Sequence, residues 1–154
     1  MGATTKVDYD TDFVEWTAEQ AELLRERRFS ELDLEHLAEE IEDLGKSEAS
    51  GVRSQLRRML VHLIKLRIQP ERASESWLHS IADAQATILQ AFEDSPSLRR
   101  RLEVNLQKTY EAAVRQALRE TRLRARAADL DIPATCPYAL DELLTDKLDD
   151  LLPQ

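Results

Sequence analysis

The chain has 154 residues, 42% hydrophobic and 33% charged, a length and apolar content that fit one domain with its own core and exclude wholesale disorder. Aromatics are only 5%, and three glycines with five prolines argue against a turn-rich β fold. The net charge of −9 argues against a surface that as a whole attracts phosphate.

Residues 1–8 read as a flexible N-terminal tail, and residues 9–154 as a single helical domain. Asp10 or Asp12 is placed to cap a first helix over Asp12 to Arg28, with Phe13, Trp16, Gln20 and Leu24 along one stripe. Ser30-Glu31-Leu32-Asp33 resembles a capping box and predicts the start of a long second helix, Ser30 to Gln69. Leu34, Leu37, Ile41 and Leu44 share one face, and Val52, Leu56, Met59, Leu60, Leu63 and Leu66 resume the pattern. Gly45 and Gly51 each cost about 1 kcal/mol against Ala inside a helix and leave a bend open there. Gln69-Pro70 ends the helix, because proline lacks an N–H and disfavours α geometry before it.

Ser74 or Ser76 opens a third helix carrying Trp77, Leu78, Ile81, Ala84, Ile88, Leu89 and Phe92. Ser95-Pro96 opens a fourth, expected to run from Pro96 to about Arg126. A short last helix spans Leu140 to about Leu151. The pattern predicts an all-α fold, an antiparallel bundle of four main helices, two of them long, plus a short C-terminal helix. The expected core includes Phe13, Trp16, Leu37, Ile41, Leu56, Met59, Leu63, Trp77, Ile81, Ile88, Leu102, Leu106 and Tyr110.

No apolar run reaches the roughly 18 residues of a membrane span. The first twelve residues lack the apolar core of a signal peptide, so the chain reads as cytoplasmic. Its one cysteine, Cys136, suits a reducing compartment and reads as a small apolar residue.

Charge is sharply divided. Residues 1–50 carry 5 Lys/Arg against 15 Asp/Glu, residues 51–128 carry 15 against 8, and residues 129–154 carry 1 against 7.

The string His36-Leu37-Ala38-Glu39-Glu40-Ile41-Glu42-Asp43-Leu44-Gly45 is followed by His62-Leu63-Ile64-Lys65-Leu66, Gln69-Pro70-Glu71-Arg72, Ser76-Trp77 and Ser95-Pro96-Ser97-Leu98. With Tyr9, Asp12-Phe13 and Trp16 before it and Cys136-Pro137-Tyr138 after it, the chain resembles the bacterial domain-of-unknown-function family 29. The resemblance implies a helical bundle and carries no activity or catalytic residue to transfer.

Three clusters invite a functional reading. His36, Glu39 and Glu40 have metal-like spacing, but the Glu-x-x-His pairs of helical di-iron proteins are absent. A solvated acidic face is preferred, with no metal and no cofactor. His62, Gln69, Arg72 and Trp77 surround the corner between the second and third helices. They make either a small pocket, with His62 as acid/base and Arg72 as anion binder, or corner architecture, which is preferred. Arg115, Arg119, Arg122 and Arg126 form the best binding candidate. They extend a seven-residue recurrence of Arg101, Lys108, Arg115 and Arg122. Such a stripe tracks phosphates, or pairs with acidic residues of the fold or of a second subunit; pairing is preferred. The sequence lacks a diagnostic catalytic triad spacing, a phosphate-binding glycine loop and zinc cysteine pairs. The favoured reading is a non-enzymatic protein-interaction module that binds a protein partner or self-associates. The alternatives are an RNA- or DNA-binding protein using the fourth helix, and an enzyme using the His62/Arg72 corner.

Overall fold

The predicted spine forms. In the computed structural model, which describes residues 6–145 and 148–151, helix α2 runs unbroken from Leu34 to Ile68. Gly45 and Gly51 sit inside it, with nothing near the position a Cβ would occupy. They therefore cost helix propensity and gain no packing in return, and the helix carries that cost over its length.

Among the described residues every regular element is helical, so the chain is all-α. Helix α1 spans Phe13–Arg25, α3 Glu75–Asp94, α4 Ser97–Val104, α5 Leu106–Glu120 and α6 Leu140–Leu143. Short 3-10 turns occupy Phe29–Glu31, Pro70–Arg72, Arg124–Asp129 and Leu148–Leu151. Of the tail expected over residues 1–8, residues 1–5 lie outside the described residues, and the Val7 N–H donates to Glu19. The expected last helix is realised as α6 and the final 3-10 turn, with residues 146–147 between them outside the described residues.

Two helix ends differ from the sequence expectation, for one reason. α1 stops at Arg25, and Arg27 takes a left-handed conformation with φ 58°. The Arg28 N–H then reaches the Leu23 carbonyl and the Arg27 N–H the Leu24 carbonyl, the paired bonds of a Schellman motif. At the end of α5, Arg122 repeats this with φ 59°, its N–H on Arg119 and the Leu123 N–H on Leu118. Glycine usually fills that position; here arginine does.

The expected fourth helix is also divided. At Asn105 (φ −101°, ψ 6°) the backbone leaves α geometry, and the Asn105 side chain donates to the Arg101 carbonyl at 2.8 Å. Asparagine competes with the helix for its own backbone carbonyls, and α4 ends there. Only one of the two expected long helices therefore exists.

The start of α2 is capped one turn later than expected. Ser30 lies in the 3-10 turn, α2 begins at Leu34, and the Leu37 N–H bonds the Asp33 carbonyl, which puts Asp33 at the N-cap position.

The chain divides into two compact units, residues 1–47 and 48–154, with the boundary inside α2. In the second unit, Val52, Leu56, Met59, Leu60, Leu63, Ile64 and Leu66 of α2 pack with Ile81, Ala84 and Ile88 of α3, Leu102 of α4, Tyr110, Ala113 and Ala117 of α5, and Leu140 and Leu143 of α6. Each large side chain buried there contributes about 1.5–3 kcal/mol of transfer free energy. Residues 131–138 lie against this core. Arg67 donates to the Asp131 carbonyl and carboxylate, Tyr110 to the Pro133 carbonyl, and the Cys136 N–H to Gln107. Cys136 is half-buried, as a small apolar residue should be, and burial pushes its thiol up.

In the first unit the buried side chains of α1 are Trp16, Gln20 and Leu23. The expected core is partly wrong there. Phe13 is 46% exposed and Ile41 67% exposed, and Leu37 is only half-buried. Among the described residues the first unit holds, besides its part of α2, one helix of 13 residues, the segment before it and the Phe29–Glu31 turn. In the second unit Trp77 and Leu106 are half-buried at the edge of the core, while Leu56, Met59, Leu63, Ile81, Ile88, Leu102 and Tyr110 are buried as expected.

Candidate functional site

Asp33 organises the first unit. As N-cap of α2 it sits below α1, its own N–H held by the side-chain carbonyl of buried Gln20 at 2.8 Å. Its Oδ2 accepts the Trp16 indole N–H at 3.2 Å and the His36 Nδ1–H at 2.8 Å. The His36 ring stacks on Tyr9, centroids 4.0 Å apart and 12° from parallel, and Tyr9 donates its hydroxyl to Glu40. Phe13 and Trp16 complete the aromatic group. The bond to Asp33 pushes the His36 imidazole up, and the same bond holds Asp33 below the usual carboxylate range. The bond to Glu40 pushes the Tyr9 phenol up to about 12. His36 is thus a partner of Asp33 and Tyr9 rather than of Glu39 and Glu40. The i, i+3 spacing of Asp33 and His36 was the sequence signal for it. Among the described residues no three His, Cys, Asp or Glu side chains are gathered to hold a metal ion.

Beyond this cluster the first unit leaves its apolar side chains in solvent. Of the large apolar residues exposed among the described residues, Phe13, Val14, Leu24, Phe29, Leu34, Ile41 and Leu44 belong to it, against Leu78, Leu89 and Val104 in the second unit. Leu34, Ile41 and Leu44 are 67%, 67% and 71% exposed. With half-buried Leu37 they fall at i, i+3, i+7 and i+10, one face of α2 with the spacing of a coiled-coil seam. Ala38, Glu40 and Gly45 border the row, while exposed Glu35, Glu39, Glu42 and Asp43 lie toward the opposite side of the helix.

The His62 corner lies where α2 meets the Pro70–Arg72 turn and α3. His62 lies near Trp77, ring centroids 6.3 Å apart, and Lys65 stands 5.1 Å over the Trp77 ring. Lys65, with its side chain only 13% exposed, pairs with Glu120 at 2.8 Å. Burial, helped by nearby Lys65, pushes the His62 imidazole below its ordinary value. The Gln69 backbone N–H closes α2 on the Lys65 carbonyl, and the Arg72 N–H closes the next turn on Gln69. Among the described residues the Gln69 and Arg72 side chains make no hydrogen bond, so the backbone, not those side chains, satisfies the helix end. Arg72 is exposed and Trp77 half-buried.

The four arginines do not share a helix. Arg115 and Arg119 are on α5, Arg122 is in the left-handed turn after it, and Arg126 is in the following 3-10 helix. All four are exposed, and among the described residues none forms an ion pair. The cations of the second unit that do pair are Arg58 with Asp83, Lys65 with Glu120, Arg67 with Asp131 and Arg99 with Asp141. Three of these four lie on α2.

No helix among the described residues is long and apolar enough to cross a membrane. No curated protein sequence matches the chain. Among solved structures, the chain resembles an alpha-helical protein of unknown function from Rhodospirillum rubrum. The two are 26% identical, with a TM-score of 0.64, over 94% of this chain and 95% of that one. The profile of the domain of unknown function DUF29 matches residues 9–148, nearly the whole chain, and the protein belongs to that family.

Proposed function

We propose that the protein is a non-enzymatic protein-interaction module whose docking surface is the apolar face of the first unit. One observation carries this reading: Leu34, Ile41 and Leu44 stand two-thirds or more exposed in a seam-like row on α2. Soluble chains rarely leave a contiguous apolar row open unless something covers it. Glu40 borders the row, and residues 1–50 as a whole carry 15 Asp/Glu against 5 Lys/Arg. The occupant that fits is a partner helix with an apolar stripe edged by lysine or arginine. The lone, half-buried Cys136 suits a cytoplasmic setting.

The test is affinity capture from the native cell with wild type and with Ile41→Asp/Leu44→Asp, followed by reconstitution with the purified captured protein. Both positions are exposed, so the double variant should fold. The reading predicts a partner with a basic amphipathic helix, bound by wild type and lost by the variant. A partner held equally well by both proteins contradicts it. Sedimentation showing that the chain instead pairs with itself through these positions replaces the foreign partner with a second copy.

A further inference from the structure

In the second unit, α2 and α5 enclose a cleft of about 260 Å³ whose polar lining is cationic. α2 supplies Ser50, Arg53, Ser54 and Arg57, at i, i+3, i+4 and i+7. α5 and the break before it supply Asn105, Lys108 and Thr109 in the same spacing. Two helix faces in register thus aim three cations and two serine hydroxyls at one space. No aspartate or glutamate lines it. Among the described residues, Arg53, Arg57 and Lys108 form no ion pair, whereas Arg58, Lys65 and Arg67 of the same α2 are each matched to a carboxylate. Thr109 is buried with its hydroxyl committed to the Asn105 carbonyl, while Ser50, Arg53, Ser54, Arg57 and Lys108 are exposed.

We propose that this cleft binds a small phosphate ester, with Arg53 and Arg57 gripping the phosphoryl oxygens from one wall and Lys108 from the other. Arginine matches phosphate through paired N–H donors, and lysine adds a point charge, so three cations suit a dianion. Asn105 also lines a neighbouring, mainly apolar cleft of about 310 Å³ with Arg100, Arg101 and Val104, which leaves room for the ester's remaining body. Neither cleft is lined by an aromatic side chain on which a base would stack, which favours a small ester over single-stranded nucleic acid. This site is independent of the apolar face of the first unit.

Amide-resolved NMR titration of the full chain tests it, with inorganic phosphate, glycerol 3-phosphate, sodium chloride and a single-stranded oligoribonucleotide as separate probes. Phosphate and its ester should shift amides of residues 50–57 and 105–112, and chloride at matched ionic strength should not. Arg53→Gln/Arg57→Gln should weaken the ester about tenfold or more, as loss of charge-assisted bonds predicts. Lys108→Gln, on the opposite wall, should weaken it as well. Arg115→Gln/Arg119→Gln, outside the cleft, should leave it unchanged. Shifts that chloride reproduces, or that map elsewhere, overturn the proposal. So does equal weakening by the Arg115/Arg119 variant. Tight oligoribonucleotide binding through the cleft without binding of either small phosphate overturns it in favour of nucleic acid.

Discussion

The indole N–H of Trp16 donates to the Asp33 carboxylate across 3.2 Å, joining α1 to the cap of α2. Asp33 also holds the His36 imidazole, while its own N–H rests on Gln20. One carboxylate at the N-cap position therefore serves as indole acceptor and imidazole partner. Asp33→Ala removes both and strands the indole donor. The expected loss is about 1–3 kcal/mol, the cost of an unsatisfied buried donor. Hydrogen exchange of the α1 amides checks it. Protection in α1 should fall, with α3 and α5 amides unchanged.

The same pair sets a pH dependence. His36 is raised by its bond to Asp33, so its contribution is complete below the ordinary histidine pKa near 6.5 and is lost as pH rises through the folded value. Asp33 is lowered, so its contribution is complete above the ordinary aspartate pKa near 3.9 and is lost as pH falls through the folded value. The first unit should therefore be most protected between about pH 4 and 6.5. The Trp16 indole N–H exchange rate, followed by NMR, should pass through a minimum there after correction for intrinsic exchange. His36→Gln should remove the rise on the alkaline side.

Arg27 and Arg122 occupy left-handed C′ positions at φ 58° and 59°. A residue with a Cβ pays there for a conformation that glycine adopts freely. Arg27→Gly and Arg122→Gly should each stabilise by about 0.5–1 kcal/mol. Chemical denaturation measures the gain, and a loss in either variant would show that the arginine side chain contributes more than its backbone costs.

Replacing Arg115, Arg119, Arg122 and Arg126 with Gln should change stability by no more than about 0.5 kcal/mol, as for exposed side chains without partners. Trp77→Ala should cost about 2–3 kcal/mol, below the range for a fully buried tryptophan, since the ring is half-buried and shares its face with Lys65. Leu56→Ala, at a fully buried site, should cost about 2–5 kcal/mol. Thermal melts of the three variants rank these directly.

The fold class was legible because helical periodicity from Val52 to Leu66 carries through to the core without exception. The helix ends were not. Arg27 and Arg122 stop helices from positions where the stop signal is normally glycine, and Asn105 divides a helix whose apolar pattern runs straight past it. Burial in the first unit was also hidden. Leu34, Leu37, Ile41 and Leu44 have the pattern of a core stripe, and periodicity does not say whether the chain holds enough second layer to cover it. Of the candidate residues, the fold brings the His62 and Trp77 rings near each other, while the arginine stripe depended on a helix that does not continue. Arg53, Arg57 and Lys108, unpaired among the described residues, come together from two segments more than fifty residues apart, a proximity only the fold creates.

The central claim is that Leu34, Ile41 and Leu44 form a docking surface, and the affinity of the purified captured partner for wild type and for Ile41→Asp/Leu44→Asp tests it most directly. Titration at two salt concentrations should show tight binding by wild type that weakens with salt, since an acidic segment meets a basic partner. Two buried aspartates should reduce it at least tenfold, about 1.4 kcal/mol, with the variant's melting temperature unchanged. Equal affinity for both proteins would contradict the account.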